Sequence, residues 1–263
     1  MTVSGTAAGA RWVDTHCHLQ LDRRPATELL KRASSVEWVV TPGVDLESSR
    51  SAVRLAAEHP RRVVATAGLH PHEASRWSSQ GGSIAELAGR AAAVGETGLD
   101  FYRNLSSRTH QVESFRSQIE LAMLLRKPLV VHCRDAFSEV HRLLEETGAG
   151  PAAVMHCWTG GPRWTRRFLD LGVKFSFAGP VAFPTGDTVR RGAEVVPPSR
   201  GMVETDTPYL APPPHRGEPN EPAWVALVGE ALARVWGMET GEVARITSAT
   251  AQQTFGVPAG GPG

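Results

Sequence analysis

The sequence predicts an α/β protein built as a (β/α)8 TIM barrel. Three observations predict it. Eight short, Val-rich runs alternate with longer helical stretches along the chain. Those runs do not alternate strictly in polarity, which is how strands buried on both faces read. The 263-residue length matches the roughly 250 residues such a barrel uses. An open doubly wound sheet is the competing arrangement. It normally carries a glycine-rich phosphate loop after its first strand, and the stretch DTHCHLQLD at 14–22 has no glycine.

The first strand is WVD at 12–14, followed by a helix over PATELLKRASS at 25–35. The second strand, VEWVVTPG at 36–43, feeds LESSRSAVRLAAEHP at 46–60, whose apolar residues recur at helical spacing. RVVATAGLH at 62–70 precedes SIAELAGRA at 83–91, and AAAVGETG at 91–98 precedes HQVESFRSQIELAMLLRKP at 110–128. PLVVHC at 128–133 pairs in the same way with FSEVHRLLEETG at 137–148, and AAVMHC at 152–157 with RWTRRFLDLG at 163–172. VKFSFAG at 173–179 leads to TVRRGAEVV at 188–196, and GMVETD at 201–206 is the eighth strand. Two closing helices are expected over 222–237 and 240–255. Strand followed by helix, repeated eight times, is barrel order.

Nothing in composition divides the chain. One barrel domain is expected over 11–257, between loose tails at 1–10 and 258–263. The opening MTVSGTAAGA lacks the basic start and apolar core of a signal peptide. No apolar run approaches the roughly 20 residues of a membrane span. The formal net charge is +1, so no global basic field announces a nucleic-acid binder. An anionic substrate must be held by local charge or by metal. Three cysteines make no disulfide framework. Cys17, Cys133 and Cys157 each follow a histidine and read as small residues facing the strand–helix layer. The chain reads as cytoplasmic and reduced, with no obligate protein partner.

The ionisable residues gather at one end of this map. His16 and His18 stand at the carboxyl end of the first strand, Glu96 at that of the fourth, His132 of the fifth, His156 of the sixth and Asp206 of the eighth. Residues i and i+2 of an extended chain face the same way, so His16 and His18 aim at one spot. The carboxyl ends of barrel strands form a single face, where active sites sit. A lone histidine near a strand end is ordinary core chemistry; six such residues at one face are not. Four histidines and two carboxylates suit Zn²⁺ or another transition ion better than Mg²⁺ or Ca²⁺ alone. They exceed what one tetrahedral zinc with an open position takes. Two divalent ions are therefore expected. His16, His18, Glu96 and Asp206 hold the first, and Glu96, His132 and His156 the second, with Glu96 as the bridge. Water activated there becomes a nucleophile near neutral pH, with Asp206 and Glu96 as the catalytic carboxylates and Asp206 as the proton acceptor.

Several blocks carry a resemblance: DTHCHLQLD, GLHPHE, GETGLDFYRN, Gln111–x₃–Phe115–x₂–Gln118, KPLVVHCRDA, HCWTGG and ETDTPYLAP…HRG…NEP. In this order, from about residue 12 to 255, the sequence resembles the TatD family of metal-dependent deoxyribonucleases. The resemblance implies an amidohydrolase-like TIM barrel with two divalent metals. It also implies hydrolysis of DNA phosphodiesters, often from a 3′ end or on single strands. The family's ligand positions carry over onto His16, His18, Glu96, His132, His156 and Asp206. Zn²⁺ is favoured by the histidines, with Mg²⁺ or Mn²⁺ as alternatives. Relatives that bridge two metals through a modified lysine fit less well, since the fourth strand carries Glu96.

Around these, His70 reads as a contact to a substrate phosphate or as a rim histidine bonded to backbone, and His72 as its weaker neighbour. Arg134 reads as a phosphate contact or as the partner of Asp135. Glu204 can orient a ligand histidine or sit in the barrel's polar layer. Asp14 reads as support behind the ligands or as strand packing, and Asp100, Tyr102 and Arg103 as braces of the loop after the fourth strand. Glu218 and Pro219 stand where the family commonly has basic residues, so tight binding of long duplex is not expected. Arg163, Arg166, Arg167, Arg190, Arg191 and Arg216 either supply charge at the active face or form solvated helix surface. Two other functions compete with DNA hydrolysis. One is a same-fold metallohydrolase acting on a small phosphodiester, ester or amide. The other is a non-catalytic, metal-dependent binding protein.

Overall fold

A computed structural model describes residues 9–257; the tail expected at 258–263 and most of that at 1–10 lie outside the described residues. Eight parallel strands run in sequence order around one sheet. They are β1 (Trp12–Asp14), β2 (Val36–Pro42), β3 (Val63–Ala67), β4 (Ala93–Asp100), β5 (Leu129–Arg134), β6 (Ala153–Met155), β7 (Lys174–Phe177) and β8 (Gly201–Val203). Between them lie α1 (Ala26–Arg32), α2 (Leu46–Glu58), α3 (Trp77–Arg90), α4 (Arg108–Leu125), α5 (Phe137–Thr147), α6 (Pro162–Asp170) and α7 (Asp187–Ala193), followed by α8 (Val225–Trp236) and α9 (Thr240–Phe255). The (β/α)8 barrel expected from the sequence is present. No helix among the described residues is long and apolar enough to cross a membrane.

Alternation along each strand builds two cores. Val13, Trp38, Val40, Val64, Ala93, Val130, Val154 and Met202 fill the barrel interior. Helix α9 plugs its lower end with Ala251 and Phe255, the latter edge-on to Trp38 at 6.4 Å. The intervening residues, among them Val39, Val131, Met155, Phe175 and Phe177, face outward and bury the apolar stripes of the helices. With the interior closed from below, only the upper mouth is open to a ligand.

The barrel closes by extensions of its first and last strands rather than by the short strands themselves. Thr15 N–H donates to Val203 O at 3.0 Å, Asp206 N–H to His16 O at 2.8 Å and His18 N–H to Thr207 O at 2.8 Å. An isolated parallel bridge joins Cys17 to Thr207. This seam carries His16 and His18 past Asp206, nearly the whole chain away in sequence.

Among the element boundaries that depart from the sequence reading, those of α3, β4, β6 and β8 bear on the site. Helix α3 starts at Trp77, ahead of 83, and follows a 3-10 turn over Pro71–Arg76. Its WSSQGG opening has poor helix propensity, but Gly81 packs on the Trp77 ring and the helix docks through Ile84. Strand β4 runs on to Asp100, so Glu96 lies inside the strand. Strands β6 and β8 stop at Met155 and Val203, because Cys157 (φ 44°) and Asp206 (φ 60°) turn left-handed.

Candidate metal centre

The strand parities that fill the core also aim the site. Val130 and Val154 point into the barrel, so His132 and His156, two residues on, do the same above them. Met202 is followed in the same way by Glu204 and Asp206. His16 and His18 flank Cys17, which packs in the outer layer. Glu96 needs a further device. Ala93 faces inward and Val94 outward, so regular alternation would send position 96 outward. The β4–β5 register slips between Val94 and Thr97, and this irregularity turns Glu96 inward. Gly95 permits it: its φ is +140°, and a Cβ there would lie 2.7 Å from Val130 O.

The two oxygens of Glu96 face different groups. Oε2 lies 3.2 Å from His16 Nε2 and 3.8 Å from His18 Nε2. Asp206 Oδ1 completes this half at 3.4 Å from His18 Nε2 and 3.8 Å from His16 Nε2. Oε1 lies 2.9 Å from His156 Nε2, 3.1 Å from His132 Nδ1 and 3.4 Å from His70 Nε2. The six residues singled out as ligands are thus brought together, and His70 joins them. His70, read from sequence as a phosphate contact or a rim histidine, is buried, lies against Glu96 and lines the cavity.

The donor chemistry fits metal. His16 Nε2 and His18 Nε2 face each other at 3.2 Å, while both Nδ1 atoms are buried without a hydrogen-bond partner among the described residues. His16, His18 and Asp206 offer atoms within 4.8 Å of one another, as do His70, Glu96 and His132. A buried ring of imidazole lone pairs and carboxylates is costly without a countercharge, and bound metal would supply one.

Burial opposes ionisation of Glu96, but His156, His70 and His16 hold its pKa well below the usual carboxylate range. Asp206 is also held low against burial, chiefly by His18, so both groups are carboxylates at neutral pH. Burial pulls the His156 pKa down, yet Glu96 and Glu204 outweigh it and push the ring well above its ordinary value. Burial also keeps His16 low and His70 well below the usual imidazole value, so both offer lone pairs.

Behind the ligands stand polar residues that hold them. Glu204 Oε1 is 3.2 Å from His156 Nδ1 and accepts the Cys157 N–H at 2.7 Å. Asp100 Oδ2 lies 2.9 Å from His72 Nε2 and 3.4 Å from His132 Nε2, so Asp100 links His72 to His132, and the His72 backbone N–H also donates to His70 Nδ1 at 3.2 Å. Asp14 accepts from Thr205 N–H at 2.9 Å and Thr205 Oγ1 at 2.6 Å, tying the β1 end to the segment that carries Asp206. Burial raises its carboxyl to about 8, against those hydrogen bonds. Asn220 donates to Thr205 O at 2.8 Å and Tyr209 O at 2.7 Å, fixing the other flank of Asp206.

Sequence reasoning assigned no role to Gln111, Gln118 or Asn220. Their signal was available for the glutamines: Gln111 and Gln118 interrupt the buried stripe of α4 formed with Phe115, Ile119 and Ala122. Gln111 accepts the Asp100 N–H at 2.8 Å and donates to Ser106 O at 2.9 Å. Gln118 accepts the Leu69 N–H at 2.8 Å and donates to Leu69 O at 2.9 Å, which sets His70. Gln118→Leu strands both backbone groups of buried Leu69, at about 1–3 kcal/mol for each orphaned group. The expected result is a lower midpoint in chemical denaturation together with reduced turnover.

At the mouth, Arg134 is exposed and lies 4.0 Å over the Tyr102 ring rather than pairing with Asp135. The cavity below holds about 740 Å³ and is lined by Arg103 and Arg134 but by none of the six arginines considered for the active face. Arg190 hydrogen-bonds Asp187 and the carbonyls of Val181 and Phe183, and Arg216 covers Phe183. Arg190 and Arg191 line a separate groove of about 970 Å³ beside α7 and α8, away from the histidine cluster. Cys133 packs partly against the outer layer and is also half-buried at the cavity wall. Cys157 does not pack against that layer: its left-handed turn brings it half-buried to the cavity wall. Burial raises both thiols, which disfavours the thiolate a metal would need.

A model of the family described as TatD related DNase matches residues 13–256. An uncharacterized metal-dependent hydrolase named TatD from Mycobacterium tuberculosis is 37% identical over 261 residues, covering 93% of this chain and 98% of the relative. A protein of Citrobacter rodentium named 3′-5′ ssDNA/RNA exonuclease TatD is 34% identical over 234 residues, covering 86% and 89%. Among solved structures, YjjV of Escherichia coli, a TatD homologue, superposes with a TM-score of 0.87 at 25% identity, covering 95% of this chain and 99% of that one.

Proposed function

The chain belongs to the family of TatD-related DNases, and on that premise we propose that it is a metal-dependent phosphodiesterase that trims single-stranded DNA from a 3′ end. The observation that carries this reading is the split of the two Glu96 oxygens between two donor groups. His16, His18, Asp206 and Glu96 would hold one divalent ion, and His132, His156 and Glu96 the other. Zinc is favoured by the imidazoles, with magnesium and manganese as alternatives. Relatives named as 3′-5′ ssDNA/RNA exonucleases support a nucleic-acid end as substrate. A cytoplasmic setting agrees with three unpaired cysteines.

Bound ions would lower the pKa of water and stabilise charge building on the phosphoryl oxygens. The chain's own residues do the rest. Asp206, ionised at neutral pH and facing the cavity, takes the proton of the attacking water on its Oδ2 and returns it to the leaving oxygen. Glu204 and Asp100 fix the His156 and His132 rings. Arg134 meets the incoming phosphate at the mouth. Glu218, which is exposed and 3.3 Å from His215 Nδ1, adds negative charge where a long duplex would need positive charge.

An end-labelled single-stranded oligonucleotide incubated with Mg²⁺, Mn²⁺ or Zn²⁺ tests this reading. The expected outcome is a ladder shortened from the 3′ end that chelation abolishes. Intact oligonucleotide alongside turnover of a small ester or amide would move the protein to another bond class.

A further inference from the structure

The chain has only two tyrosines, and both are exposed: Tyr209 lines the cavity, and Tyr102 lies against Arg134 at its edge. Tyr102 is 62% and Tyr209 56% accessible, high values for side chains this large. Among the described residues six large apolar side chains are exposed. Three of them, Leu21, Leu105 and Tyr209, line the cavity above the histidine cluster, and a fourth, Tyr102, lies against Arg134, which lines it too. Such clustering marks a binding surface rather than scattered exposure.

The two tyrosines flank opposite halves of the site. The Tyr209 ring stands edge-on to His18 at 6.2 Å, beside the His16–His18–Asp206 group. Its backbone is held on both sides, by its own N–H to Asp206 O at 2.8 Å and by Asn220 to its carbonyl. Tyr102 lies across the mouth, two residues after Asp100, which reaches His132. The Arg134 guanidinium carbon lies 4.0 Å over its ring, forming a cation–π pair. A brace for the loop would be buried; this ring is not. Aromatic rings and arginine planes are the platforms on which unpaired bases stack, and they tolerate any base.

We infer that Tyr209 and the Arg134–Tyr102 pair are two stacking walls that hold unpaired terminal bases and so confine the enzyme to single-stranded ends. This inference rests on the nuclease reading above. Bases in a duplex are already stacked and paired, and they would reach these walls only after melting.

The experiment compares kcat/KM for two oligonucleotides identical except that the terminal nucleotides of one are abasic. Wild type should prefer the normal end. Tyr209→Ala and Tyr102→Ala should each shrink that preference by about tenfold, the lower range for loss of one stacked base. The change should sit in KM rather than kcat, and Tyr209→Phe and Tyr102→Phe should keep the preference. A structural defect would lower both substrates together and leave the ratio intact, which overturns the inference. Equal rates of wild type on both ends would overturn it while leaving the nuclease reading standing. If wild type shortened neither oligonucleotide yet hydrolysed bis(p-nitrophenyl) phosphate, both would fall.

Discussion

Replacing Glu96 with glutamine should lower kcat/KM by about a thousandfold or more while leaving a folded protein. The amide keeps the shape of the side chain and removes its charge. In the native site that charge faces His156 at 2.9 Å and His132 at 3.1 Å through one oxygen, and His16 at 3.2 Å through the other. A neutral amide cannot give an anionic oxygen to each of two cations. Metal ions typically contribute several kcal/mol of transition-state charge stabilisation, and about 1.4 kcal/mol is tenfold in rate. The fold should survive because the barrel interior below is built by Val13, Trp38, Val130 and their neighbours, which Glu96 does not support. Circular dichroism and a thermal melt check the fold, and steady-state kinetics the loss. Near-normal rates would show that Glu96 bridges nothing that matters to the reaction.

Asp206→Asn should cut kcat by about 10²–10⁴-fold, the usual contribution of a positioned general base. His18, His16 and His156 keep the native carboxylate ionised against burial, ready to take a proton. Asparagine retains an oxygen for His18 at nearly the same place but cannot accept a proton at neutral pH. The loss should therefore appear in kcat more than in KM. The backbone of Asp206 is fixed independently, by its N–H to His16 O and by the neighbouring Thr205–Asp14 bonds, so the variant should fold. A variant turning over at the native rate would mean that the proton leaves by another group.

The sequence made the barrel legible because its strands are Val-rich and its helices carry apolar stripes. His132 and His156 were legible because parity is a local rule: they follow Val130 and Val154 at the distance that repeats a face. Where the rule breaks, sequence reasoning had less to hold. Glu96 faces inward only through the irregularity at Gly95, which depends on the neighbouring strand. Cys157 escapes the outer layer because the chain turns left-handed there. His70 reads from sequence as a phosphate contact or a rim histidine; that the Leu69 backbone before it is held by Gln118, 49 residues away on a different element, is not visible in spacing. Asn220 holds the Asp206 segment from a loop that reads as simple polar chain. These supporting roles depend on tertiary contacts for which spacing along one element gives no rule.

The central claim is that Glu96 stands between two divalent ions, one on each oxygen. Anomalous scattering from crystals of the wild-type protein grown with manganese or zinc tests it most directly. Two peaks are predicted, one among His16, His18 and Asp206 and one among His132 and His156, each in contact with a different oxygen of Glu96. A single peak, or two peaks that leave one Glu96 oxygen without an ion, would contradict it.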